Sequence, residues 1–149
     1  MNDTTVKPAR TLPRPDDFPF RVTETIRFRD LDRNGHVNNA VFATYFETGR
    51  VFFIRSVYGE RQFADGGFVV ARLELNYLKE ILWPGQVEIC TGVERIGTSS
   101  VTYAQALFVN GECAANGKTT IVRINKATKT STPLPEEIVG LLKQQMMRA

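Results

Sequence analysis

Between Arg21 and Arg29 the sequence RVTETIRFR alternates, with Val22, Ile26 and Phe28 on one side and Thr23, Thr25 and Arg27 on the other. Successive side chains of a strand point to opposite faces, so the pattern predicts a half-buried strand. From Asn39 to Tyr58 the period lengthens, and Phe42, Tyr45, Phe46, Phe52, Phe53 and Val57 recur at helical spacing. Val41, Val51 and Ile54 widen this stripe, which predicts a helix wrapped by other structure rather than laid on a surface. Asn38 or Asn39 supplies a cap and Gly59 a stop. Gly49 in the helix interior costs about 1 kcal/mol relative to alanine and implies that a strand crosses closely there.

After Gly66 and Gly67 the alternating period returns, and it predicts strands over 68–79, 86–96, 98–109 and 112–125. Trp83-Pro84-Gly85, Gly97 and Asn110-Gly111 separate them, and links this short imply antiparallel pairing. Pro133 and Pro135 precede an apolar-periodic stretch, Glu136 to Met147, expected to be a terminal helix. The order is thus strand, long helix, four strands, short helix. One greasy helix between a first strand and an antiparallel meander is buried most economically by a sheet that curls around it, an α+β architecture. Pro8, Pro13, Pro15 and Pro19 make residues 1–19 an expected extended arm and leave 20–149 as a single domain.

A length of 149 residues suits one domain, and 42% hydrophobic with 23% charged residues excludes wholesale disorder. The net charge is +3, but Lys and Arg never form a run of five, so no nucleic-acid partner is expected. A phosphate-bearing substrate needs only a few placed cations. Cys90 and Cys113 lie in apolar, strand-like stretches and read as buried thiols rather than a disulfide framework. No run approaches the roughly 18 apolar residues of a membrane span, and with no apolar signal core a cytoplasmic location is expected.

The chain's single histidine stands in a polar cluster, DLDRNGHVNN from Asp30 to Asn39, just before the long helix. Asp30, Asp32, Asn34 and Gly35 begin like a calcium loop, but Val41 occupies the position of its bidentate glutamate and a strand precedes it. GECAANGKT nearly spells a phosphate loop, yet five residues separate Gly111 from Gly117 where four are required. One histidine and two distant cysteines make no zinc set, so neither metal nor cofactor is expected, and no serine sits in a nucleophile elbow. Two accounts remain. The polar residues cap the helix and shape a turn; or a carboxylate stands beside a helix N-terminus whose amides stabilise charge on a carbonyl oxygen, which suits acyl transfer.

The same stretch resembles the signature of hotdog-fold acyl-CoA thioesterases of the 4-hydroxybenzoyl-CoA thioesterase-like group, and the resemblance covers about residues 20 to 127. It implies an acyl-CoA substrate and a curved antiparallel sheet around one central helix. It also implies that Asp32 is the catalytic carboxylate, as general base or nucleophile, and that the amide of Asn39 polarises the thioester. Asp30 is then a turn or strand-end residue, and Glu47 with Arg50 forms an ion pair on the helix. Phe42 stands where many relatives carry tyrosine, which removes a hydroxyl from the substrate region.

Asp32, Asn34 and His36 are similar to the D-x-N-x-H element of plant-type acyl-ACP thioesterases, and LNYLKE places Glu80 near that group's glutamate. An acyl-carrier protein is therefore an alternative partner, with His36 and Asn34 orienting water or the carbonyl, or simply bonding within the turn. A homodimer or homotetramer is implied, with acyl pockets between subunits. Arg72, Lys79, Lys118 and Arg123 are the candidate phosphate contacts.

Overall fold

The computed structural model describes residues 11–59 and 66–148. Strand β1 (Phe20–Thr25) leads through a polar loop to helix α1 (Asn39–Tyr58), which carries the chain across the core to β2 (Gly66–Tyr77) at the opposite edge of the sheet. Strands β3 (Gln86–Ile96), β4 (Ser100–Val109) and β5 (Glu112–Asn125) fill the space between them in the order β1-β3-β4-β5-β2, every pair antiparallel. A short helix, α2 (Glu136–Lys143), follows. This is the hotdog arrangement, a curved sheet around one long helix.

The helical spacing of α1 explains how the sheet holds it. Phe42, Tyr45 and Phe46 pack with Ile26, Val37, Ile81, Val87, Ile89 and Leu107 around its first half. Phe53 and Tyr58 join Val93, Val101, Tyr103 and Ile121 around its second, where Ile138 and Leu142 of α2 close the end. Gly49 is the point of closest approach: a Cβ there would strike Ile89 Cγ2 on β3 and stand 3.2 Å from Gln105 Nε2 on β4. The opposite sheet face carries a third cluster of Phe18, Cys90, Ala106 and Phe108. Residues 11–19, within the expected arm, include a helical turn at Pro15–Asp17 and bury Phe18, whose ring meets Phe108 edge-on at 6.3 Å. Cys90 is fully buried and Cys113 partly so, both reduced, and burial pushes the Cys90 thiol up to about 12.

Three sequence expectations change. The first strand stops at Thr25 instead of Arg29, because Ile26 N turns to donate to Gly85 O (3.0 Å) and the chain curls through a helical turn at Phe28–Asp30. Phe28, expected on the buried face, is 71% exposed. The terminal helix ends at Lys143, and Gln145–Met147 pairs instead with Val93, whose N–H donates to Gln145 O and whose carbonyl accepts from Met147 N, both at 2.8 Å. Val93 lies beyond the reach of β1, so without that tail its backbone groups would lack partners. The Glu47–Arg50 ion pair is also replaced: Arg50 is buried and donates to Thr119 Oγ1 (3.2 Å) and Gln105 Oε1 (3.4 Å), with burial pulling its pKa down.

Candidate active site

The polar loop is anchored from below by Asp30. Its side chain is 3% exposed and accepts from Arg27 N (2.9 Å) and Tyr45 OH (2.9 Å), with the Arg27 guanidinium 3.1 Å from its other oxygen. Burial acts to raise the Asp30 pKa, but these donors outweigh it and hold the carboxyl below the usual range. Tyr45, in the second turn of α1, is pushed well above an ordinary phenol by burial and the neighbouring carboxylate. The carbonyl of Asp30 accepts from Asn38 N (2.8 Å), which fixes the start of α1 against the loop.

Above this anchor the chain makes a tight turn. Asp32 N donates to His36 O (2.8 Å), Gly35 N to Asp32 O (3.1 Å), and Asn34 N to Asp32 Oδ1 (2.8 Å). Gly35 sits at φ +81°, the left-handed region in which only glycine is unstrained. The exit of the turn is clamped by the β2–β3 link, where His36 bridges Leu82 through the main chain and Val37 N donates to Ile81 O (2.9 Å). That clamp brings His36 Nε2 to 3.3 Å from Glu80 Oε2. Asn38 then caps the helix, its side chain accepting from Ala40 N (2.8 Å).

Asn39 opens α1, so its amide has no partner within the helix. Its carbonyl accepts from Tyr77 OH (2.9 Å) at the end of β2, and the Tyr77 ring lies edge-on to Phe42 at 5.0 Å. Tyr77, far from position 42 in the sequence, thus brings a hydroxyl to the helix start beside Phe42. The available signal was an aromatic side chain in LNYLKE at the strand end, next to the helix start.

Asp32 and His36 are half-buried, Asn34 and Asn39 exposed, and all four lie in the loop that leads into α1 or at its first residue, with Glu80 against His36 and Phe42 buried in the first turn. The candidate phosphate contacts do not gather there. Lys118 pairs with Glu94 (2.9 Å) and Lys79 with Glu112. Arg123 donates to Pro133 O (2.7 Å) and sits opposite Phe68, nine residues along β2 from Tyr77, about 30 Å at the rise of a strand. Arg72 is exposed on β2. A cleft of 590 Å³ lies on the sheet face turned away from α1, between residues 11–13 and Asn76, Asn116 and Lys118; Asp32 does not line it. Among the described residues no three His, Cys, Asp or Glu side chains are placed to hold a metal.

A carboxylate in the loop before a helix whose first amide, Asn39 N, has no intrahelical partner is a combination that can attack or hydrate a carbonyl carbon while stabilising its oxygen. Compared with known families, residues 26–142 match the thioesterase-like superfamily. The chain belongs to that superfamily. A thioesterase of Thermus thermophilus, solved with coenzyme A and zinc, is 35% identical to this thioesterase-like protein, with a TM-score of 0.77 over 87% of this chain and 95% of that one. A Bacillus stearothermophilus protein described as a predicted thioesterase is 28% identical, with a TM-score of 0.79 over 87% and 98%. DHNA-CoA thioesterase of Staphylococcus aureus is 26% identical, with a TM-score of 0.71 over 76% and 79%. Membership and these neighbours support thioester hydrolysis as the chemistry of the superfamily fold in this chain. No helix among the described residues is long and apolar enough to cross a membrane.

Proposed function

We propose that this thioesterase-like protein is a cytoplasmic acyl-CoA thioesterase, with Asp32 acting on the thioester carbon and the Asn39 amide holding its oxygen. The observation that supports the reading is the Asp32–Gly35 turn in the loop that leads into α1, whose start is held by Asn38, Asp30 and Tyr77. As general base, Asp32 takes a proton from water as its oxygen bonds to the acyl carbon, and the collapse of the tetrahedral intermediate expels the CoA thiolate, which is then protonated. As nucleophile, its own oxygen bonds to the acyl carbon and displaces the CoA thiolate, which is protonated, and water then cleaves the mixed anhydride to the free acid and the restored carboxylate. Asn34 and His36 flank the same space and orient water or the carbonyl.

The reading includes self-association. Among the described residues strand β2 is paired on one side only, and it exposes Val69, Val70 and Leu73, while α1 exposes Val51 and Phe52. A long apolar edge of this kind is stable in water when another strand covers it. A homodimer joined at β2, with further pairing to a tetramer, would enclose an acyl pocket that a single chain leaves open. Arg72 on this strand would then meet CoA phosphates, with Lys118 and Arg123 serving only if they leave their present partners.

The contact between His36 and Glu80 favours a second reading, an acyl-carrier-protein thioesterase in which these two share the activation of water. Free-thiol release from a panel of short, long and aromatic acyl-CoA esters, set against acyl-carrier-protein esters, tests both. Asp32→Asn is expected to lower turnover at least about 100-fold. Equal rates for the two proteins would remove Asp32 from the mechanism, and faster turnover of carrier-protein esters with loss in Glu80→Gln would select the second reading.

A further inference from the structure

Four residues before Asp32, Phe28 is 71% exposed, an unusual position for a phenylalanine in a folded chain. Its ring stands edge to face with that of Trp83, with centroids 5.3 Å apart and planes at 80°, and Trp83 is itself 45% exposed. Leu82, 56% exposed, extends the patch, and its main chain is the one bridged to His36. Two unlike segments, the turn after β1 and the β2–β3 link, therefore hold an open aromatic notch one residue from the clamp of the candidate active site. Nothing in the core requires these rings to face outward.

Two cations of the same loop have no acidic partner among the described residues. Arg29 shares the helical turn with Phe28, and Arg33 lies at the apex of the Asp32–Gly35 turn; both are exposed and neither makes an ion pair among the described residues. The neighbouring acids are committed elsewhere: Asp30 is buried beneath Arg27 and Tyr45, Asp32 accepts from Asn34 N, and Glu80 lies against His36. An exposed aromatic face stacks a flat heteroaromatic ring, and guanidinium groups bind phosphate oxygens. Together they match an adenine joined to phosphates.

We propose that the Phe28–Trp83 notch, with Arg29 and Arg33, binds the adenosine-phosphate end of coenzyme A while its thioester reaches Asp32. This rests on the acyl-CoA reading above and adds to it the residues that would distinguish a CoA ester from the same acyl group on a bare pantetheine. The exposed ring pair is small and its Phe28 lies on the same loop as Asp32, where a ligand tethered to the thioester by a pantetheine arm fits better than a broad lipid surface does.

Trp83 is the only tryptophan in the chain, so its fluorescence reports the notch directly. Coenzyme A and adenosine 3′,5′-bisphosphate are expected to quench it saturably and pantetheine to leave it unchanged. Phe28→Ala and the double variant Arg29→Gln/Arg33→Gln should each weaken the quenching about tenfold and raise KM for acyl-CoA by a similar factor, with KM and kcat for acyl-pantetheine unaltered. Circular dichroism melts confirm that the variants fold. Hydrolysis of acyl-CoA without quenching, or with KM equal in wild type and variants, overturns the notch and leaves the thioesterase reading standing. Quenching by the nucleotide in a protein that cleaves no thioester overturns the activity and keeps the notch as a nucleotide site. Quenching by anionic vesicles or by acidic carrier protein, but not by nucleotide, also overturns the proposal.

Discussion

Asp30 and Asp32 are two residues apart and differ in everything that matters to a carboxylate. Asp30 is enclosed, accepts from a backbone amide and a phenol, and faces a guanidinium; Asp32 is half-buried and spends one oxygen on a turn amide. Because the folded pKa of Asp30 lies below its unfolded value, its contribution to stability is fully present above the ordinary carboxylate range and is lost as pH falls through the folded value. Asp30→Asn is therefore expected to destabilise the protein by about 1–3 kcal/mol near neutrality and to flatten the acid side of its stability profile, read from urea unfolding between roughly pH 3 and 7. Asp32→Asn should instead leave unfolding nearly unchanged while removing hydrolysis. The sequence displayed the cluster and the D-x-D pair but could not say which aspartate is enclosed. That depends on Tyr45, two helical turns beyond the cap, and on Arg27, which local alternation assigned to a strand face.

At the level of elements, period was a reliable guide where one face of a segment is buried, and it weakened where tertiary hydrogen bonds compete. The long helix and the strands at 86–96 and 112–125 have the bounds that their spacing predicts, and the close crossing at Gly49 is real. Alternation misplaced Phe28 because the Asp30 anchor and the Gly85 carbonyl curl the chain before the pattern runs out. Helical spacing overran Lys143 because the open backbone of Val93 captures the segment that follows. The Gly49 crossing makes a prediction against helix propensity. Alanine should gain about 1 kcal/mol as a helix former, yet its methyl would meet Ile89 and Gln105, and overpacking costs about 1–3 kcal/mol. Gly49→Ala is thus expected to lower Tm by several degrees in calorimetry; an unchanged or raised Tm would mean that β3 yields freely.

Across the whole molecule, the two edges of the sheet are handled differently. The β1 edge is short, and its missing length is made up by the tail at Gln145–Met147. The β2 edge runs for twelve residues, Gly66–Tyr77, and carries apolar side chains into solvent. If β2 is where copies of the chain meet, Leu73→Lys places a charge in that junction. Light scattering should then show a shift toward monomer, and turnover should fall with it at low protein concentration; an oligomer of unchanged mass would place the contact elsewhere. Little of this was legible in the sequence, since a strand's period is the same at an edge as in the middle of a sheet.

The tail beside β1 also gives the fold a chemical weak point. Gly92 has no room for a Cβ, which would stand 2.5 Å from Met147 Sδ and 2.7 Å from Pro19 Cδ, so the thioether lies directly on bare backbone. Oxidation of that half-buried sulfur to the sulfoxide would set a polar group against the Gly92 backbone. Peroxide would therefore prise the tail from Val93 before it harmed the packing around α1, and a methionine sulfoxide reductase could put it back.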